Sequence, residues 1–100
     1  MEFEWDEAKR LAGIAKHGVD LLYAATIFAG ETLVFEDISS DYGEKRQTAL
    51  GMVDGEVFVV VFTERNGRIR LISARKGGRR DRRKFEARLA GGNPGDEGPG

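Results

Sequence analysis

The sequence predicts an α+β domain: a small antiparallel sheet, a three- to four-stranded meander, with two N-terminal helices and one basic C-terminal helix. Three observations predict it. Asn66-Gly67 and Asp54-Gly55 each separate runs of strand-like residues, and such pairs are the strongest short-range hairpin signal because both turn residues must accept positive φ. Val57-Phe58-Val59-Val60-Val61-Phe62 is a continuous apolar run, as expected of a central strand covered on both faces. On either side of the strand region lie segments with helical spacing and helix-end signals.

In chain order, Asp6 can N-cap a helix to His17, with Ala8, Leu11, Ala12 and Ala15 at helical spacing and Lys16-His17-Gly18 as a stop. Asp20 can cap a second short helix through Phe28, ended by Gly30. Phe3 and Trp5 are expected to pack the first helix onto the sheet. Leu33 to Glu36 is a short strand candidate, and Asp37 to Gly43 reads as polar loop. Strands follow at Lys45 to Val53, Glu56 to Arg65 and Arg68 to Lys76. Gly77-Gly78 breaks the chain before a basic helix from about Arg79 to Leu89, which Phe85 and Leu89 can dock at i, i+4.

Tight hairpins fix a register. Across Asn66-Gly67, Arg65 faces Arg68, Thr63 faces Arg70, Val61 faces Ile72 and Phe58 faces Arg75. Across Asp54-Gly55, Leu50 faces Val59 and Arg46 faces Thr63. One face then carries the row Arg46–Thr63–Arg70 beside Glu44–Arg65–Arg68. The other carries Glu64 and Arg75.

One hundred residues with 40 % apolar content make one domain with a modest core. Residues 1–90 are read as that domain, and the Gly/Pro-rich stretch 91–100 as a disordered tail. There is no run of about 18 apolar residues and no basic-then-apolar leader, so no membrane span or targeting segment is expected. The absence of cysteine excludes disulfides and thiolate metal sites and fits a cytoplasmic location. A single histidine excludes a His-rich cluster, and neither metal nor cofactor is expected. The net charge of −1 hides an asymmetry: five Lys/Arg against twelve Asp/Glu in residues 1–62, but eleven against three in 63–90. Such polarity suggests a polyanionic partner for the basic part.

Like charges crowded at the Asn66-Gly67 hairpin repel one another and ask for an anion. Guanidinium groups bind phosphate bidentately, stay charged, and can stabilise a pentacoordinate phosphorane. RNA cleavage then needs only the substrate's own 2′-OH as nucleophile and a proton acceptor. Glu44 or Glu64 could accept the proton, although neighbouring arginines lower a carboxylate's pKa and weaken it as a base. The structural alternative is a solvated, salt-bridged hairpin tip. Imidazole ordinarily titrates near neutrality, which makes His17 a proton-transfer candidate; its alternative role is that of a helix C-terminal residue stabilised by the dipole. Arg75 is expected to be half-buried opposite Phe58 and to need an acidic or carbonyl partner. Arg79 to Lys84 could track phosphates or be a soluble helix surface.

Phe3-Glu4-Trp5-Asp6 with Lys9, Lys16-His17-Gly18-Val19, Ala24-Ala25-Thr26-Ile27-Phe28, Glu44-Lys45-Arg46 with Leu50-Gly51, Thr63-Glu64-Arg65, Ile69 to Arg75, and the basic stretch to Phe85-Glu86 together resemble the BrnT family of ribonuclease toxins from bacterial type II toxin–antitoxin systems. The resemblance covers about residues 2 to 86. Leu22-Tyr23, where the family usually has acidic residues, and the glycine-rich tail depart from it. It implies a RelE-like fold, metal-independent RNA cleavage that inhibits translation and growth, and RNA as substrate. It also implies a ribbon-helix-helix (BrnA-like) antitoxin forming a heterotetramer, with promoter DNA bound only through that complex. The implied catalytic set is His17, Arg46, Glu64, Arg65, Arg70 and Arg75, and the expected RNA contacts are Lys16, Lys45, Arg68, Arg79, Arg82 and Arg83. The alternative is a non-catalytic nucleic-acid-binding or antitoxin-binding module. Because Glu64 and Arg75 are expected on the face opposite Arg46 and Arg70, the site wraps a strand end, a bulge rotates Glu64, or some of these residues are structural.

Overall fold

A computed structural model of the chain describes residues 2–37 and 45–91. Glu44 and residues 92–100 of the expected tail lie outside the described residues. Strands β1 (Glu2–Glu4), β2 (Leu33–Asp37), β3 (Arg46–Val53), β4 (Glu56–Arg65) and β5 (Arg68–Lys76) form one sheet in the order β1-β5-β4-β3-β2. Strands β2 to β5 are antiparallel neighbours, whereas β1 joins β5 in parallel. The sheet is therefore five-stranded and mixed, which corrects the expected three- to four-stranded antiparallel meander. The missed element is β1. It covers part of the edge that β5 would otherwise expose, pairing Glu2, Phe3 and Glu4 with Arg68, Ile69 and Arg70. Its alternation sends Phe3 onto Phe28, with ring centroids 5.7 Å apart, and brings Glu2 and Glu4 beside Arg68 and Arg70.

Both hairpins turn as the sequence predicts: Asp54 and Asn66 have φ of 50° and 52°, each followed by a glycine at positive φ. The β3–β4 register also agrees, with Leu50 opposite Val59 and Val53 opposite Glu56. The β4–β5 register does not. Thr63 opposes Arg70 and Phe62 opposes Leu71, but Val61 then opposes Ser73 and Val59 opposes Arg75. Ile72 is the extra residue of a β-bulge, and every β5 side chain beyond it is shifted by one position. Lys76, not Arg75, faces Phe58.

Helix α1 (Glu7–His17) has Asp6 accepting from the Lys9 N–H at 3.2 Å and ends on Gly18 at φ 68°, whose N–H donates to the Ile14 carbonyl. The second helix is shorter than expected. Helix α2 (Leu21–Ala24), capped by Asp20, gives way to a 3₁₀ segment (Ala25–Ala29) that ends at Gly30. Helix α3 (Arg79–Leu89) starts at Gly78, whose N–H donates to Asp81 at 2.9 Å.

The core has two layers. On one face of the sheet Val19, Leu21, Ala24, Ala25 and Ile27 pack on Ala49, Phe58, Val60, Phe62, Ile69 and Leu71. Phe28 meets Phe62 edge-on at 5.2 Å. On the other face Phe85 of α3 covers Leu50, Val57 and Val59, with Leu33, Phe35 and Met52 around it. Leu89, expected to dock with Phe85, is 52 % exposed. Helix α3 therefore covers only one end of its face, leaving Thr48, Val61 and Ile72 half-buried. Among the described residues, no helix is long and apolar enough to cross a membrane.

Helix α1 buries no residue, and Leu11 and Ile14 are 54 % and 37 % exposed. Trp5, expected to pack the helix on the sheet, is also exposed and donates to Glu7 at 3.0 Å. Polar contacts position α1 instead. Arg10 reaches Asp20 through two hydrogen bonds of 2.8 and 3.0 Å and Glu7 through a third of 2.9 Å. The Arg10 guanidinium and the Leu22 N–H hold the Asp20 carboxyl below its ordinary value of 3.8. A depressed carboxylate pKa stabilises the fold above the unfolded value and loses that contribution as pH falls through the folded one.

Asp20→Asn, which keeps the cap but loses the charge, is expected to lower the thermal midpoint by a few degrees at pH 7. The gap to the parent should close as the pH is lowered below the ordinary carboxylate range and Asp20 becomes protonated, as followed by circular dichroism. A Cβ on Gly51 would lie 2.4 Å from the Cβ of buried Ile27. Gly51→Ala is thus expected to destabilise by roughly 1–3 kcal/mol in urea titrations, with part of the loss recovered in combination with Ile27→Ala.

Candidate functional site

Three adjoining depressions line the gap between α1 and the open half of the α3 face. The first, about 240 Å³, is lined by Asp6, Lys9, Arg46, Arg65, Arg70, Leu71 and Ile72. The second, about 410 Å³, shares Lys9, Arg46 and Ile72 with it and adds Arg10, Gly13, Lys16, His17, Ser73 and Ala74 among others. The third, about 430 Å³, shares His17, Val19, Ser73 and Ala74 with the second and adds Val59, Val61, Arg75 and Lys76. Shared walls make them one groove. Among the described residues, Asp6 is the sole carboxylate residue that lines it, against Lys9, Arg10, Lys16, Arg46, Arg65, Arg70, Arg75 and Lys76.

Each wall has a local cause. The Asn66-Gly67 turn brings Arg65 opposite Arg68 and Thr63 opposite Arg70. Thr63, 2 % exposed, donates from Oγ1 to the Lys45 carbonyl at 2.7 Å, which ties β4 to the start of β3 next to Arg46. The bulge at Ile72 brings Ser73 and Arg75 to the face that carries Thr63 and Arg70. Two helical turns separate Lys9 from Lys16, so both lie on the same side of α1. That side is turned to the groove.

Carboxylates hold several of the cations. Arg70 lies 3.8 Å from Glu4, Arg68 2.9 Å from Glu2, and Lys76 2.8 Å from Glu56. Arg75 donates to Asp81 at 3.0 Å. Burial raises the Asp81 carboxyl, but the Gly78 N–H and the Arg75 guanidinium outweigh it and keep the group below its ordinary value. Arg75 is exposed rather than half-buried as expected, and Asp81 is the acidic partner it was expected to need.

Of the residues singled out in the sequence, His17, Arg46, Arg65, Arg70 and Arg75 line the groove, and so does Lys16. Glu64 does not. It lies with Lys45, Gln47 and Thr63 in a separate depression, and Lys45 is 3.7 Å from Glu36. Arg68 is exposed at the hairpin. Arg79, Arg82 and Arg83 lie on exposed positions of α3; Arg82 donates to the Gly55 carbonyl at 3.2 Å and lies 3.4 Å from Glu86. The sequence assigns Lys9 and Ser73 no role in the site, and Asp6 only that of helix N-cap. The spacing of Lys9 and Lys16 on one helix side was the available signal for Lys9; Ser73 had none, because its face depends on the bulge.

Among the described residues, no three of His, Asp and Glu come together as a metal-ligand group. The groove is thus a cationic surface with one imidazole at its centre, suited to gripping phosphates and moving a proton. No curated protein matches the chain. A family model described as the ribonuclease toxin BrnT of type II toxin–antitoxin systems matches residues 5–81, a span that contains every residue lining the groove. The chain belongs to the BrnT family of ribonuclease toxins of type II toxin–antitoxin systems.

Proposed function

We propose that the groove is the active site of an endoribonuclease that needs no metal and uses the 2′-OH of its substrate as nucleophile. The observation that carries this reading is the placement of His17 between two sets of guanidinium groups, Arg46, Arg65 and Arg70 on one side and Arg75 on the other. Arg46, Arg65 and Arg70 hold the non-bridging oxygens of the scissile phosphate and offset the charge that develops on the phosphorane. His17 takes the proton from the 2′-OH. The 2′-oxygen forms its bond to phosphorus as the bond to the 5′-oxygen breaks, and the departing oxygen takes a proton from solvent. The products are a 2′,3′-cyclic phosphate and a 5′-hydroxyl, and cleavage of cellular RNA arrests translation and growth. Lys16, Arg68 and the exposed α3 arginines extend the contact along the backbone.

The family implies an antitoxin. We take it to be a ribbon-helix-helix protein that covers the groove, assembles with the toxin as a heterotetramer and confers promoter binding on the complex. A binding-only reading draws on the ion pairs of Arg70 with Glu4 and of Arg75 with Asp81, since paired arginines can be purely structural.

Cleavage of a labelled RNA by the purified chain separates the two. Arg46→Ala and Arg70→Ala are each expected to slow cleavage by about 10²-fold or more. His17→Ala should slow it by roughly 10²–10⁴-fold while RNA affinity holds. Glu64→Ala should stay within a few-fold of the parent. Undiminished cleavage by Arg70→Ala or His17→Ala removes that residue's assignment, and tight binding with no cleavage by the parent favours the binding-only reading. Arg83→Ala is expected to weaken binding to all sequences alike and to reduce the slope of log affinity against log salt by about 1, measured by fluorescence anisotropy.

A further inference from the structure

The far end of the groove differs in chemistry from the arginine end. Its floor is Val19, Val59 and Val61, the first two buried and the third half-buried, while Ser73 and Arg75 are exposed around it. A phosphate gains nothing from a valine floor. A flat ring with apolar faces and polar edges does. The volume of about 430 Å³ falls in the range of small-molecule sites, roughly 300–1,000 Å³.

His17, Ser73 and Ala74 line this depression and the central one alike. A nucleotide whose phosphate lies beside His17 therefore has its base within reach of the valines. The Arg75 guanidinium is held in place by Asp81 at 3.0 Å, and Asp81 is itself fixed by the Gly78 N–H at 2.9 Å. A guanidinium plane fixed in this way is a stacking partner for an unpaired base. We propose that this depression is a base-recognition subsite for a nucleotide adjoining the scissile phosphate. The base lies on Val59 and Val61, stacks against Arg75, and offers its edge to the Ser73 hydroxyl. The inference rests on the endoribonuclease reading and adds to it a determinant of where RNA is cut. Asp81 becomes a positioning residue that acts through Arg75.

The test uses the full chain and two ribooligonucleotides, one intact around a mapped cleavage point and one with abasic residues on both sides of it. The parent chain is expected to cut the abasic RNA at least about tenfold more slowly. Val61→Phe, which fills the depression, and Ser73→Ala should slow cleavage of intact RNA by a larger factor than cleavage of the abasic RNA. Asp81→Asn, which keeps an acceptor for Gly78, should raise KM for intact RNA more than it lowers kcat. Equal rates on the two RNAs, or equal losses on both in the variants, overturn the subsite. If the parent cuts no RNA, so that no cleavage point can be mapped, the endoribonuclease reading fails, and anisotropy on one oligoribonucleotide with and without two internal abasic residues decides the subsite. A preference for intact RNA that Val61→Phe erases supports it, and equal affinity overturns it.

Discussion

The extra residue at Ile72 is the constraint on which the rest of the site depends. With unbroken pairing from the Asn66-Gly67 turn, Arg75 would stand opposite Phe58, on the face buried under α2 and the 3₁₀ segment. Ser73 would then stand opposite Val60, where its hydroxyl would lose hydration inside the core. The bulge instead places Ala74 opposite Val60 in that core and returns Arg75 to the open face opposite Val59. Lys76, which takes the place opposite Phe58, is at the strand end, exposed and paired with Glu56. One added residue thus satisfies the packing of one face and supplies Ser73 and Arg75 to the other.

The second wall is built in a different way. Helix α1 has no buried side chain, so hydrophobic packing does little to fix its orientation. Arg10 does this through Asp20 and Glu7, and β1 fixes the start of the helix by pairing with β5. The consequence is a helix whose cationic side, with Lys9, Lys16 and His17, faces the groove while Leu11 stays in water. Stability and function meet at this point, because the ion pairs that hold α1 also set the position of the imidazole.

Much of this was legible in the residues. Asn66-Gly67 and Asp54-Gly55 announced both hairpins, and Asp6 with Gly18 marked the ends of α1, because these signals are local and each has one backbone solution. The arginine cluster at the hairpin was legible for the same reason. The strand β1 was not, since Glu2-Phe3-Glu4 is too short to display a period, and its partner lies more than sixty residues away. Nor was the bulge, because Ile72 is neither glycine nor asparagine and regular pairing is the default. The apolar spacing of α1 suggested a core face, but three of its four positions are alanines, whose small side chains gain little from burial. The misplaced Arg75 and the unassigned Ser73 both trace to that single register shift.

In the proposed mechanism the groove supplies charge and a proton acceptor, while its substrate supplies the nucleophile. Single-turnover cleavage of an RNA carrying one 2′-deoxy sugar at the mapped cleavage point tests that division of labour most directly. The account predicts that the deoxy position resists cleavage, and that the parent RNA yields a 2′,3′-cyclic phosphate and a 5′-hydroxyl. Cleavage at the deoxy position at the parent rate would contradict it.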